Sequence, residues 1–171
     1  MVRPHVSRRQ MVHIAVHTIM WEVSKIMFDH PFGAALPTVE SVTVEDPVGN
    51  QPTNIIQSTD PWRIRAKWSL GLPGAPWAGA LTYQARAYLE SIGGGFEGQV
   101  GPTVSVPGKF AAPFDFEALI NVPAGLPAGS YKLTTLVNAV FPGNIPAEMA
   151  AFVEGPIVQI YQFPYVFARC R

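Results

Sequence analysis

The sequence predicts an all-β sandwich of about seven to eight strands behind an N-terminal extension. Apolar and polar side chains alternate over several short runs, which is the pattern of half-buried strands. The 17 Pro and 15 Gly fall in clusters between those runs, where turns are expected. The apolar fraction is 48% and the charged fraction 14%, so we expect a packed core rather than disorder.

The run from Trp62 to Leu70 is the clearest predicted strand. Its odd and even positions separate apolar from polar side chains, so Trp62 and Trp68 are expected in the core. Pro102 marks one later strand as an edge strand, and Gly155-Pro156 predicts a bulge or break in the last one. The other predicted strands lie near residues 42–45, 55–56, 81–89, 100–106, 114–120, 131–141 and 151–163.

Residues 1–36 form the predicted extension, and residues 37–171 the predicted sandwich domain. The extension is predicted to contain a helix. A capping-box pattern at Ser7–Gln10 predicts where this helix begins, and Pro31 predicts where it ends. The residues between them recur at the spacing of one helix face. This apolar stripe contains Val12, Ala15, Val16, Ile19, Met20, Val23, Ile26 and Met27. A second, narrower apolar line contains Ile14, Trp21 and Phe28, so the amphipathic helix is expected to need cover.

Self-association, or packing on its own sandwich, is the role we expect for this helix. Contact with a membrane surface, led by Arg3, Arg8 and Arg9, is a less favoured alternative. A targeting peptide is another alternative. Met11, Met20 and Met27 are further candidate start residues, so residues 1–26 need not all belong to the natural protein.

A Pro/Gly turn before Tyr131 indicates which type of β-sandwich to expect. The stretch Leu126-Pro127-Ala128-Gly129-Ser130-Tyr131-Lys132-Leu133 resembles the corner before a late strand in immunoglobulin-like and fibronectin-III-like domains. The resemblance implies an immunoglobulin-like antiparallel β-sandwich in which the Tyr131 hydroxyl hydrogen-bonds to backbone a few residues upstream. The Cys–Trp–Cys pattern of antibody domains is absent, and no specific family is indicated.

Charge and cysteine content limit the partners and the compartment. The net charge is zero, which argues against nucleic acid as a partner. Cys170 is the one cysteine, so no internal disulfide can form. The sequence has no uncharged apolar run long enough for a transmembrane helix, and polar residues interrupt the apolar stretch that a signal peptide would need. We therefore favour a cytoplasmic location.

No set of residues indicates catalysis. His13 and His17 are spaced as a metal pair on a helix, but Ile14 stands where a zincin has glutamate, and no further ligand completes a site. The predicted sandwich contains no histidine to act as a base, and Cys170 lies at the chain end. We expect no enzyme activity, no metal and no cofactor.

Three side chains are candidates for ligand contact. Trp77 lies in a Gly/Pro loop, and Tyr88 lies on a polar strand face where a sugar ring could stack. Arg86 is expected to extend a basic stripe made by Arg63, Arg65 and Lys67.

The predicted function is a non-catalytic protein-interaction or structural sandwich that can self-associate through its helix or a sheet face. The alternative is a module that binds carbohydrate or another ligand through exposed aromatics. A hydrolase-like enzyme with its site on the loops ranks third.

Overall fold

The computed structural model describes residues 37–48, 52–70 and 76–163, which form an all-β structure of two sheets. The predicted N-terminal helix, all four histidines and Cys170 lie outside these residues. The described strands are β1 (Pro37–Glu45), β2 (Ile55–Gln57), β3 (Trp62–Leu70), β4 (Thr82–Ser91), β5 (Gly98–Pro107), β6 (Asp115–Val122), β7 (Gly129–Phe141) and β8 (Ile145–Tyr161). A short 3-10 helix, Pro76–Ala80, precedes β4. No helix in the described part of the chain has the length and hydropathy to cross a bilayer.

The two sheets pack face to face as a β-sandwich. One sheet has three strands in the order β1-β3-β6, and the other has five in the order β2-β8-β7-β4-β5. The neighbouring strands are antiparallel except for β2, which pairs parallel with the end of β8. This parallel pairing departs from the antiparallel arrangement that the sequence predicts.

The core forms between the inner faces of the two sheets, as the alternation in β3 predicts. Trp68 is 1% exposed and stacks on Phe116 of the neighbouring β6, with ring centroids 5.7 Å apart. Tyr83 reaches both rings from the opposite sheet, with its centroid 4.7 Å from that of Phe116. These three aromatic rings join the sheets at one end of the sandwich, and their large buried area stabilises the core there.

The predicted corner before β7 is confirmed. The Tyr131 hydroxyl donates to the carbonyl oxygen of Pro127 over 2.9 Å, four residues upstream. The Tyr131 side chain is 1% exposed, so the ring packs in the core while its hydroxyl fixes the turn.

The last strand has the predicted bulge. Lys132 pairs with Ile157 and Thr134 with Glu154, so Gly155 and Pro156 together lie opposite one residue of β7. A Cβ on Gly155 would lie 3.0 Å from the Leu133 side chain and 3.1 Å from that of Val42. The bulge therefore packs β8 closely against the inner side of the sandwich and against β1.

A second glycine brings the sheets together on the other side. Gly101 in β5 has a φ of 67°, and a Cβ there would lie 2.6 Å from the carbonyl oxygen of Asn121 in β6. Only a residue without a side chain fits this close approach of an edge strand of one sheet to an edge strand of the other.

Candidate functional site

The outer face of the three-stranded sheet carries a network of ion pairs around Glu45. The Glu45 carboxylate accepts hydrogen bonds from Arg63 Nε at 2.9 Å and from Arg65 Nε at 2.5 Å. Arg65 also donates to Glu117, and Lys67 Nζ lies 3.7 Å from the other oxygen of Glu117. We call this surface, made by Glu45, Arg63, Arg65, Lys67 and Glu117, the charged face.

The charges on this face largely neutralise one another. Glu45 is only 7% exposed, and the hydrogen bond from Arg65, followed by that from Arg63, lowers the pKa of its carboxyl although burial opposes the shift. The same hydrogen bond to Glu45 raises the pKa of Arg65. The predicted basic stripe is therefore present but is paired with carboxylates from β1 and β6, so it is not an open site for an anion.

The prediction that Arg86 extends the basic stripe is wrong. Arg86 lies on β4 in the other sheet, opposite Leu136 of β7, and its Nη2 donates to Gln84 Oε1 over 2.9 Å. Alternation in a strand tells which side chains share a face, but it does not tell which sheet the strand joins.

The outer face of the five-stranded sheet carries large apolar side chains instead. Phe152 and Ile157 on β8 are 57% and 59% exposed, and Ile55 on β2 is 66% exposed. Leu136 of β7 lies directly opposite Phe152, and Ile55 lies opposite Gln159, two residues beyond Ile157. We call Ile55, Leu136, Phe152 and Ile157 the apolar patch.

The β8 bulge is the reason that this patch forms. Phe152 and Ile157 are five residues apart, so a regular strand would place them on opposite faces. Because Gly155 and Pro156 occupy one position between them, both side chains point outward. Gly155-Pro156 predicted the bulge, but the sequence did not predict that Phe152 and Ile157 share a face.

One ion pair crosses the apolar patch. Lys132 Nζ and Glu154 Oε1 are 2.5 Å apart on the outer face, between Phe152 and Ile157 along β8. The hydrogen bond to Glu154 raises the pKa of Lys132. A partner that binds this surface therefore meets apolar groups on both sides of a fixed pair of charges.

Two of the three predicted ligand-contact residues lie next to this patch. Tyr88 and Arg86 are half-buried on the outer face of β4, and Arg86 is in one cross-strand row with Leu136 and Phe152. Trp77 belongs to the 3-10 helix, but its side chain lies outside what the structure describes.

A groove separates β1 from β8 at the side of the sandwich. It has a volume of about 390 Å³, and Val42, Val44, Pro52, Glu154 and Pro156 are among its lining residues. The chain closes the groove at one end, because Thr53 N donates to the Val44 carbonyl and Gln159 N to the Asn54 carbonyl.

The described residues contain no group of three or more His, Cys, Asp or Glu side chains that could hold a metal ion. The possible pair His13 and His17 lies outside them.

The sheets, the corner and the two outer faces define a β-sandwich domain. No protein family matches the sequence, and no curated protein matches it. Among solved structures, the chain is similar to the C-terminal domain of wzt, with a TM-score of 0.54 and 10% sequence identity over 81% of this chain and 80% of that one. At this identity the likeness supports the fold alone.

Two further solved structures are less similar. The CARDB domain of the PF1109 protein from Pyrococcus furiosus, in complex with di-metal ions, has a TM-score of 0.37 and 15% identity over 74% of this chain and 90% of that one. The superoxide reductase (neelaredoxin) from Ignicoccus hospitalis has a TM-score of 0.36 and 15% identity over 72% and 82% of the two chains. Neither likeness carries an argument about this protein.

Proposed function

We propose that the protein is a non-catalytic interaction module that associates with a second copy of itself through the apolar patch. The observation that carries this proposal is the difference between the two outer faces of the sandwich. One face is covered by linked ion pairs around Glu45, whereas the other exposes Phe152, Ile157 and Ile55. A cluster of large exposed apolar side chains on one side of a domain is typical of a surface that binds another protein.

The size of the exposed groups makes association favourable. Burying a large apolar side chain that was exposed contributes about 1.5–3 kcal/mol. Three such side chains more than half exposed on one face therefore supply enough apolar surface for a weak, reversible interface. The ion pair of Lys132 and Glu154 lies among them and would restrict how two copies can be oriented.

The test is sedimentation equilibrium or light scattering of the full chain over a wide concentration range. We expect reversible association that Phe152→Glu and Ile157→Glu each weaken about tenfold or more, because a buried unpaired carboxylate opposes the interface. The matched control is Leu119→Glu, since Leu119 is 36% exposed on the three-stranded sheet. A chain that stays monomeric throughout contradicts the proposal, and so does association that the two patch variants leave unchanged.

We also infer that the sandwich is of the immunoglobulin-like type. The order β8-β7-β4-β5 opposite β1-β3-β6 resembles the arrangement of the GFCC′ and ABE strands in immunoglobulin domains, and the Tyr131 corner supports it. An NMR map of cross-strand amide contacts tests this inference. Parallel pairing of Ile55–Gln57 with Gln159–Tyr161 is expected, and a different neighbour for β8 would overturn it.

A ligand-binding module is the second candidate function. Tyr88 lies half-buried on the outer face of β4, with Gln99 and Thr134 opposite it on the two neighbouring strands. An aromatic ring among amide and hydroxyl groups suits a polar ligand with an apolar face, such as a sugar. A glycan array with the full chain tests this candidate. Hits that Tyr88→Ala removes would support it, and an array without hits would exclude the glycan class.

A further inference from the structure

We propose that residues 8–28 of the same chain, here called the N-terminal segment, cover the apolar patch and compete with the second copy for it. The segment would thereby regulate self-association. This inference rests on the proposed function, because it names what occupies the same surface when no second copy is bound. Its support comes from where the described chain begins, from the length of chain before that point, and from the apolar stripe in the segment.

The described chain begins beside β8. Pro37 pairs with Leu70, at the end of the sandwich where the aromatic rings of Trp68 and Tyr83 meet. Val140 pairs with Thr82 at the same end, so the β7–β8 hairpin turns there. β1 and β8 therefore both start at this end and run side by side, as the close approach of Val42 to Gly155 shows.

The linker between the segment and β1 is long enough to reach the patch. Residues 29–36 are eight residues, which span at most about 26 Å when extended. Val42 of β1 and Gly155 of β8 lie side by side. Five residues before each of them, Pro37 is level with about Ala150, which is two residues from Phe152. The path from Pro37 first crosses the spacing between the two sheets, about 10 Å, and then follows β8 for about 7 Å. The distance is therefore well within reach.

The segment and the patch also match in length and in chemistry. A helix over residues 8–28 would be about 30 Å long, enough to lie along the exposed part of β8 and past Ile55. Its apolar stripe includes Val16, Ile19 and Val23. A helix with an apolar face and a sheet with an apolar face are stable in water only when each is covered, and a helix layer on the open sheet covers both.

Attachment in the same chain favours the segment over a free second copy. Tethering a group in the same chain through a short linker gives it an effective concentration of up to about millimolar. A second copy at micromolar concentration must then compete with the segment for the patch. Self-association would then be weakened in proportion to the fraction of chains in which the patch is covered.

The first experiment is a disulfide cross-link in the full chain. Val23→Cys is combined with Phe152→Cys in a Cys170→Ser background, and the control combines Val23→Cys with Lys67→Cys on the charged face. We expect oxidation to link Val23→Cys with Phe152→Cys within one chain, giving a monomer that migrates faster on a non-reducing gel and reverts on reduction. We expect the control pair to react much less. Equal reaction of the two pairs, no reaction, or links mainly between chains would overturn the inference.

The second experiment compares two neighbouring substitutions in the full chain. Val23→Asp places a charge on the apolar stripe, and Ser24→Asp places the same charge off it. We expect Val23→Asp to uncover the patch and lower the dissociation constant for self-association by about tenfold, with Ser24→Asp close to the unmodified chain.

The results separate this inference from the proposed function. If Phe152→Glu weakens association while Val23→Asp has no effect or also weakens it, the segment does not compete for the patch, and the proposed function stands. If association is unaffected by Phe152→Glu, the proposed function itself fails.

Discussion

Glu45 is the residue that links the two arginines of the charged face. It accepts hydrogen bonds from two arginines, and its side chain is 9% exposed, whereas that of Glu117 on the same face is 39% exposed. The sequence shows only that Glu45 lies on the polar side of a strand. Its partners depend on the register between β1 and β3, which periodicity does not define.

We expect Glu45→Gln to destabilise the fold by about 2 kcal/mol, because hydrogen bonds to charged groups contribute about 1.5–3 kcal/mol. Glu117→Gln is the control and should cost less than about 1 kcal/mol, as exposed ion pairs do. Urea unfolding, read as a change of midpoint at constant slope, measures both values. Equal losses of unfolding free energy for the two variants would contradict the prediction that Glu45 contributes more to stability than Glu117.

The lowered pKa of Glu45 also predicts a pH dependence. Because the pKa is lower in the folded state, the unfolded chain binds the proton first, so stability falls as the pH drops. The loss should begin near the ordinary glutamate pKa of about 4.3 and continue through the lower folded value. Glu45→Gln should give a flatter dependence of unfolding free energy on pH in this range. An unchanged slope would contradict the prediction.

Removal of the hydroxyl should have different effects on stability at two buried tyrosines, Tyr83 and Tyr131. Tyr83 has no hydrogen-bond partner for its hydroxyl among the described residues, and burial raises its pKa to about 12. Tyr131 donates to Pro127. We expect Tyr83→Phe to be neutral or stabilising by up to about 1 kcal/mol, and Tyr131→Phe to lose about 1 kcal/mol. Thermal or urea unfolding distinguishes them, and a larger loss for Tyr83→Phe would show that its hydroxyl is bonded.

The raised pKa of Tyr83 also predicts how stability changes at high pH. A pKa raised in the folded state means that the unfolded chain loses its proton first, so the contribution of Tyr83 is lost as the pH rises from about 10 towards 12. The Tyr83→Phe variant should lack this part of the alkaline loss.

At the scale of elements, the strands were predictable where alternation is regular. The run Trp62–Leu70 is a strand with the same bounds in the sequence and in the structure, and Gly98–Pro107 is an edge strand as Pro102 indicates. The apolar patch was not predictable in the same way. Its two β8 residues share a face only because a bulge shifts the alternation, and Ile55 comes from a three-residue strand paired in parallel.

The close approach of β5 to β6 gives an element-scale prediction. We expect Gly101→Ala to destabilise by about 3 kcal/mol, because the new methyl would meet the Asn121 carbonyl in addition to the cost of a positive φ. Gly143→Ala is the control, since Gly143 has a φ of 83° with open space around it, and should cost about 1 kcal/mol. Unfolding free energies from urea titration measure the difference. Equal costs would mean that β5 can move away from β6.

At the scale of the whole molecule, the two outer faces should respond differently to salt. Raising NaCl to about 1 M shortens the screening length to about 3 Å and weakens exposed ion pairs. Association through the apolar patch should persist in NaCl and strengthen in sulfate, since excluded salts favour apolar burial. Light scattering across a salt series measures this, with the Phe152→Glu variant as control. Association that disappears in about 0.5 M NaCl would indicate a charged interface instead.

The short pairing of β2 with β8 has a consequence for how the chain folds. Residues 53–57 join the first described strand to the last, through Thr53 to Val44 on one side and through Asn54 and Ile55–Gln57 to β8 on the other. β1 can pair with β3 as soon as Trp62–Leu70 has been synthesised, but β2 lacks its strand neighbour until Gln159–Tyr161 has been synthesised. During translation β2 must therefore wait with open edges, and the sandwich can close only after nearly the whole described chain has left the ribosome.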